Sequence, residues 1–429
     1  LLDLPDELLV HICSFLDGKD LANFAQTCII IKNAAHSKHI WNFRGISINI
    51  INKIQKWISI YQSLNDRGVV NIFFKVYDYD LLNHHFQLFE KYLPNLKLVY
   101  EESEYNSLLV QRPRGDINIK GLRLRKVETL KVTNINNHFL EELKNAFPSL
   151  KYLNVSEGNF DDNHANIIEK LNVKALNLAR TQITNRAIFI LCRPMYHFSE
   201  AVHKYEHEKN STLSSNLEIL NTANNLNVTS KSWKFLKALD KLKVLITNDT
   251  FAGYEEFNHL SSIKSLRFLV IKHSTWPEKV LINVSKLKCI SLGFENCDFR
   301  SDGLELLDNL KEDLEKILYL KLSNSSVSDS GIIKICENMP QLILMDLRGS
   351  TDITDECMKT IASKLLNLKF LSVLNCPKIT ENALQVLPNR VCVQFKSEYS
   401  LKQLKMMALK LEKYDEIWKH FVYVNYDLV

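Results

Sequence analysis

Leu150-Lys-Tyr-Leu-Asn-Val155 and Val173-Lys-Ala-Leu-Asn-Leu178 share one apolar template, Leu-x-x-Leu-x-Leu with Ile or Val allowed. Ten copies are readable, beginning at Val127, Leu150, Val173, Leu217, Leu242, Leu266, Leu287, Ile317, Leu342 and Leu368. The steps between them are 23, 23, 44, 25, 24, 21, 30, 25 and 26 residues. The step of 44 stands apart from the ~20–29 period of stacked strand-and-helix units. Within a copy the last residues alternate like a strand, and the stretch that follows recovers the helical period, as in Gly331-Ile-Ile-Lys-Ile-Cys336 and Ala383-Leu-Gln-Val-Leu387. So small a unit cannot bury its apolar face alone, so copies must stack into an array. The expected fold class is α/β, a curved solenoid with a parallel sheet on its concave side and helices on its convex side.

Between strand and helix several copies carry a similar connector: Thr181-Gln-Ile-Thr184-Asn185, Ser325-Ser-Val-Ser328-Asp329, Ser350-Thr-Asp-Ile-Thr354-Asp355, Cys376-Pro-Lys-Ile-Thr380-Glu381 and Cys297-Asp-Phe-Arg-Ser-Asp302. A small inward residue, an apolar one and then a hydroxyl–acid pair suit a turn that caps the next helix. This pattern resembles the cysteine-containing subclass of leucine-rich repeats, in which Cys297 and Cys376 would be buried small hydrophobes. The long step holds Cys192 to Ser215, an inserted loop or degenerate copy. His203 and His207 there are four apart, half of a metal site, but no third ligand motif completes it, and solvated histidines are the simpler reading.

The chain has 429 residues, 46% of them hydrophobic, with 11 Gly, 9 Pro and a net charge of +5. That composition excludes disorder and collagen, allows a large core, and gives too mild a basic surplus for a dedicated nucleic-acid binder. No run reaches the ~18 apolar residues of a membrane span. The nine cysteines, at 13, 28, 192, 289, 297, 336, 357, 376 and 392, show no Cys-x-x-Cys spacing, against a disulfide framework or zinc knuckle. The chain reads as soluble and intracellular, cytoplasmic and/or nuclear.

The first forty residues differ in kind. Pro5 opens a helix where its missing N–H costs nothing, with Asp6 and Glu7 at the positive end. Leu8, Leu9, Ile12, Cys13, Phe15 and Leu16 spread over about 160° of arc, wider than the ~100° stripe needed against one core. A second helix carries Leu21, Phe24, Ala25 and Cys28, and a third ends near Ile40-Trp41. So short a module makes a poor independent core and should lean on the repeats and on a partner chain.

Leu4-Pro5-Asp6-Glu7-Leu8-Leu9, Ile12, Ser14, Leu16, Asp20-Leu21, Thr27-Cys28 and Trp41 resemble an F-box over residues 2–41. Where that family commonly has Cys-x-x-Trp, this chain has Cys28-Ile-Ile-Ile31, which removes an aromatic from the third helix. The resemblance implies an F-box/leucine-rich-repeat protein, the substrate receptor of an SCF-type, cullin-RING ubiquitin ligase. Leu4, Pro5, Glu7, Leu8, Leu9 and Ile12 would then face the adaptor subunit or support that face, and cullin would join through the adaptor. A non-degradative scaffold or competitor with the same parts is the alternative. The implied organisation is an F-box over 1–41, a linker or irregular first repeats over 42–126, leucine-rich repeats over 127–397, and a capping helix and tail over 398–429.

On the concave face the x positions of each copy point outward. Val244, Ile246, Phe268 and Val270 make two adjacent copies apolar in both columns, an expected contact patch for a protein substrate, with Tyr319 and Asp346 in the same columns. Residues 419–429 would cover part of that patch. A second candidate surface is Arg112-Pro-Arg114 through Lys120, Arg123, Arg125 and Lys126, since Arg clusters suit acidic or phosphorylated peptides, although a solvated loop explains such a run as well. No phosphate loop, nucleophile elbow, zinc-protease or dinucleotide motif is present, so neither an enzyme nor a cofactor is expected, nor a membrane or nucleic-acid partner.

Overall fold

The computed structural model describes residues 4–16, 18–41, 45–50, 54–76, 78–102, 115–192, 213–248, 254–273, 287–299 and 314–395. His203, His207, Arg112, Arg114, most of the long insertion and the carboxy-terminal helix and tail lie outside them. The chain divides into two units, Leu1–Phe160 with Leu171–Val173, and Asp161–Lys170 with Lys174–Val429. The division falls inside the stretch that the sequence reads as a single array from residue 127.

In the first unit four short helices come first: α1 Asp6–Phe15, α2 Gly18–Ala25, α3 Ile29–Ala35 and α4 Lys38–Trp41. Pro5 accepts from the amides of Leu8 and Leu9, so the proline that cannot donate starts the ladder as an acceptor. The core of the module is Leu9, Cys13, Leu21, Ala34, Ala35 and Ile40, with Leu4, Val10, Leu16, Phe24, Ala25 and Trp41 packed around it. Ile31, at the place of the missing aromatic, is buried, and the Cys28 sulfur receives its amide at 3.5 Å. Trp41 closes the module by donating to the Ala35 carbonyl at 2.9 Å, under the guanidinium of Arg67.

Strand and helix then alternate: β1 Gly45–Asn49, α5 Ile54–Asp66, β2 Asn71–Lys75, α6 Tyr79–Tyr92, β3 Leu98–Glu101, β4 Thr129–Lys131, α7 Asn137–Ala146 and β5 Tyr152–Asn154. Each strand pairs in parallel with the next, aligning Ile46, Ile72, Val99, Leu130 and Leu153 in one row. Residues 45–101 thus contribute strands of the same kind as the recognisable repeats. Glu101 and His85 are among the polar groups sealed into this unit. The buried Glu101 carboxylate accepts from the Tyr79 hydroxyl, the Thr133 hydroxyl and the Thr133 amide, tying β3 to the turn after β4. Between α5 and α6, His85 meets Tyr61 through Nδ1 within a cluster that includes Trp57 and Phe89.

The second unit continues with α8 Asp162–Ile168, β6 Ala175–Asn177, α9 Asn185–Cys192, β7 Ile219–Asn221, α10 Trp233–Leu236, β8 Val244–Asn248, α11 Tyr254–Ser261, β9 Phe268–Lys272, β10 Ser291–Glu295, β11 Tyr319–Ser323, α12 Asp329–Asn338, β12 Leu344–Asp346, α13 Asp355–Lys364, β13 Phe370–Ser372, α14 Glu381–Leu384 and β14 Cys392–Gln394. Among the described residues its nine strands pair in chain order, all parallel, with Leu176, Leu220, Leu245, Leu269, Leu292, Leu320, Met345, Leu371 and Val393 in register. Parallel neighbours need right-handed crossovers, which put the helices on one face of the strands and leave the other without them.

Two devices recur that the apolar template does not show. Four residues past the in-register core residue of a strand (Leu153, Leu176, Leu220, Leu269, Leu292, Leu320, Met345 and Leu371) the backbone turns left-handed: Glu157 in the first unit, then Arg180, Asn224, His273, Asn296, Asn324, Gly349 and Asn375 in the second. In β10 that core residue is Leu292, two beyond the Ile290 that the template marks. Gly and Asn tolerate that region best, which explains their share of these positions. The hydroxyl–acid pair also reaches across repeats. The first helical Asp of one repeat accepts from both the amide and the hydroxyl of the next repeat's capping Thr: Asp162 from Thr184, Asp329 from Thr354, and Asp355 from Thr380.

Replacing Asp329 with Ala leaves the Thr354 amide and hydroxyl without their acceptor and should cost about 1–3 kcal/mol in urea unfolding. The equivalent change at exposed Glu356, which makes no such bridge, should cost less than about 0.5 kcal/mol. A second measurement concerns pH. Burial, aided by neighbouring His84, holds the His85 imidazole down to about 4 from 6.5, so on acidification the unfolded chain takes up this proton first. The stability contributed is whole above pH 6.5 and disappears as pH falls through about 4. Urea midpoints followed across that window should fall less steeply for His85→Gln than for the parent chain.

Candidate functional site

Two surfaces hold the residues that the sequence singles out. On the amino-terminal module, Pro5, Glu7 and Leu8 are exposed, Leu4 and Ile12 are half-buried, and Leu9 lies in the core, supporting the others from beneath. Leu8 is 48% exposed, and on α3 Ile29 and Ile30 reach 73% and 42%. These two isoleucines escape the sequence reading, although a signal exists. Three successive side chains spread over about 200° of a helix, so Ile29, Ile30 and Ile31 cannot all face one core, and Ile31 takes the inward place. Apolar side chains this exposed, on two helices that share a core, mark a contact surface.

The second surface is the strand face away from the helices in the second unit. Here lie the residues that the sequence assigns to a partner protein or to cover by residues 419–429. Val244, Ile246, Phe268, Val270, Tyr319 and Asp346 are all buried, none more than 2% exposed. The physical reason is visible in the strands themselves. Val244-Leu-Ile246 and Phe268-Leu-Val-Ile271 are continuous apolar runs rather than alternating ones, the pattern of strands buried on both faces. Gly293 lies beside Val270 in the register, and a Cβ there would come within 2.8 Å of a Val270 methyl, so this face is packed tightly as well.

Along the same face, toward the ends of β9–β12, charges interlock. Glu295 bridges Lys272 at 3.0 Å and Lys321 at 3.4 Å, and Asp346 pairs with Arg348 at 2.9 Å. Burial alone would raise the Glu295 carboxyl, but Lys321 and Lys272 outweigh it and hold it below the ordinary range. Burial pushes the Lys321 ammonium down, against the opposing pull of Glu295 and Asp346. Ser291 and Ser323, on this face, bury hydroxyls without a hydrogen-bond partner among the described residues. The face is therefore apolar at β8–β9 and ionic from β9 to β12.

The more accessible counterpart lies in the first unit, where Phe73, Thr129 and Tyr152 are half-buried. There Phe73 packs on Tyr100, and the Lys131 ammonium sits over the Tyr100 ring, 3.2 Å from its hydroxyl. Neither Phe73 nor Tyr100 was singled out by the sequence, because no template copy is readable there. Cys297 and Cys376 are buried and donate to carbonyls, and burial pushes the Cys376 thiol up to about 11, unsuited to nucleophilic work. Among the described residues no group of three His, Cys, Asp or Glu side chains is placed to hold a metal, and no helix is long and apolar enough to cross a membrane.

Placing Asp at Val270 tests the burial directly. An unpaired carboxylate there should lower stability by about 3–5 kcal/mol, measured by urea unfolding, whereas on an open patch the change would be small.

Comparison with known proteins identifies the amino-terminal module. A 62-residue stretch is 39% identical to the Candida albicans protein "Antagonist of mitotic exit network protein 1", covering 14% of this chain and 9% of that protein's length. A chain of the crystal structure of a yeast Rad7 and Elc1 complex aligns over 90% of this chain and 92% of its own, at 15% identity and a TM-score of 0.47. Residues 1–46 match the family model described as F-box-like. The helical module that begins the chain is an F-box-like domain.

Proposed function

We propose that this chain is the substrate-recognition subunit of an SCF-type, cullin-RING ubiquitin ligase, acting in the cytoplasm and/or nucleus. The observation that carries the reading is an F-box-like module whose helices α1 and α3 leave Leu8, Ile29 and Ile30 exposed while Leu9, Cys13 and Ile31 seal its interior. Such a module offers apolar area to a small adaptor subunit, and cullin joins through that adaptor. The repeat units hold the target protein. The chain contributes no catalytic residue to ubiquitin transfer; it raises the effective concentration of target lysines near the transfer machinery.

Leu8→Asp and Ile29→Asp should each reduce capture of adaptor and cullin by about tenfold or more, as expected for anchors of an interface. Because both side chains are exposed, the thermal midpoint should stay within about 2 °C of the parent. Leu9→Asp should instead unfold the module. Unchanged co-purification in the Leu8 and Ile29 variants would refute the docking surface. Strong adaptor capture with no ubiquitylated client would support a scaffold instead.

A further inference from the structure

Residues 115–127 form neither helix nor strand, yet they are tied down along their length. Asn83 of α6 donates to the Asp116 carbonyl at 2.9 Å and accepts from the Asn118 amide at 2.8 Å. The Arg123 amide donates to Glu90 of α6 at 2.9 Å, and the Leu124 amide donates to the Ala146 carbonyl at the end of α7 at 2.8 Å. Ile117, Ile119, Leu122, Leu124 and Val127 are buried beneath the segment, each at most 5% exposed. The residues between them that stand out are Lys120, Arg123, Arg125 and Lys126.

Among the described residues none of these four cations has an ion-pair partner, and the Lys126 ammonium only donates to Asn95 at 2.6 Å. The carboxylates beside the segment include Asp80 of α6, which lies against Gly115. Glu90 is committed to the Arg123 amide, Glu128 pairs with Lys151 at 2.9 Å, and Asp116 is the one acid within the segment. Lys91 and Lys144, in the last turns of α6 and α7, add positive charge on the helices to which the segment is tied, helices that also carry Asp80, Glu90, Glu141 and Glu142. Uncompensated cations of this kind repel one another, and an anionic partner relieves that repulsion.

We propose that this pinned strap is a docking surface for an extended, Asp/Glu-rich segment of a partner protein. The cations are spread over two successive turns, Ile119–Leu122 and Leu124–Val127, which fits several separate carboxylates better than one dianionic phosphate. Arg123 and Arg125 flank buried Leu124, so both guanidiniums are free to take carboxylates through paired hydrogen bonds. At about 3.3 Å per residue, the strap from 120 to 126 matches no more than about six or seven residues of an extended partner. Its backbone is already ordered, so binding immobilises little more than side chains. No aromatic residue occurs from 115 to 127, leaving no platform on which nucleic-acid bases could stack.

The test uses the full chain and fluorescence anisotropy with three labelled probes: an alternating Asp/Glu peptide of about eight residues, a neutral peptide carrying one phosphoserine, and a single-stranded oligonucleotide. The acidic peptide should bind best, and about tenfold more weakly when salt is raised from about 50 to 300 mM. Arg123→Ala with Arg125→Ala should weaken binding about tenfold. Lys120→Gln with Lys126→Gln should do so through side chains outside that pair, which keeps the proposal testable if the arginine variant proves unstable. Arg186→Ala with Lys359→Ala, exposed cations elsewhere, should change nothing. Equal binding by strap and control variants, or tighter binding of either the phosphoserine peptide or the oligonucleotide, would overturn the proposal. No adaptor is present in the assay, so its outcome is independent of the ligase reading.

Discussion

Backbone pairing between one short parallel strand and the next is the interaction on which every other feature depends. Strands of three to five residues satisfy almost none of their hydrogen-bonding capacity alone, so each must pass its amides and carbonyls to a neighbour in fixed register. That requirement sets the Leu column, because a slip of one residue would turn every core side chain to the other face. It also accounts for the left-handed residue after the strand and for the Asp–Thr bridge. Both return the chain at the same point of each repeat, so the next strand arrives where its partner waits. Residues as unlike as Arg180, His273 and Gly349 therefore adopt one backbone conformation, imposed by the array.

The amino-terminal module works under the opposite constraint. Its helices are too short to enclose all the apolar side chains they carry, and the core formed by Leu9, Cys13, Leu21, Ala34, Ala35 and Ile40 leaves Leu8, Ile29 and Ile30 outside. What would be a defect in a free-standing domain is the apolar area that the proposed adaptor docking would cover. Ile31, where the family commonly has an aromatic, is buried, and its amide caps onto the Cys28 sulfur.

In the second unit the strand face opposite the helices holds aliphatic side chains at β8 and β9 and a chain of opposite charges beyond them. Breaking such a chain by removing one member leaves a buried charge uncompensated, a cost of about 3–5 kcal/mol. Lys321 illustrates the balance: desolvation disfavours its charge, while Glu295 and Asp346 favour it. A side chain in this setting holds the face in one arrangement as well as offering polarity.

Much of this molecule was legible in its residues. The period of the Leu template announced parallel strands joined by helices, and the Leu-Pro-x-Glu-Leu-Leu start announced the F-box-like module, because both signals are local and repeat at fixed spacing. The stretch 42–126 carries no readable copy of the template, and the membership of β1, β2 and β3 in the same pairing scheme became clear from their register. Exposure was the quantity the sequence could not supply. Alternation tells which side of a strand a residue occupies, whereas whether that side meets water depends on atoms distant along the chain. Val244, Phe268 and Asp346 are therefore correctly placed on the outward face yet buried, while Ile29 and Ile30, hydrophobic in every scale, stand in solvent.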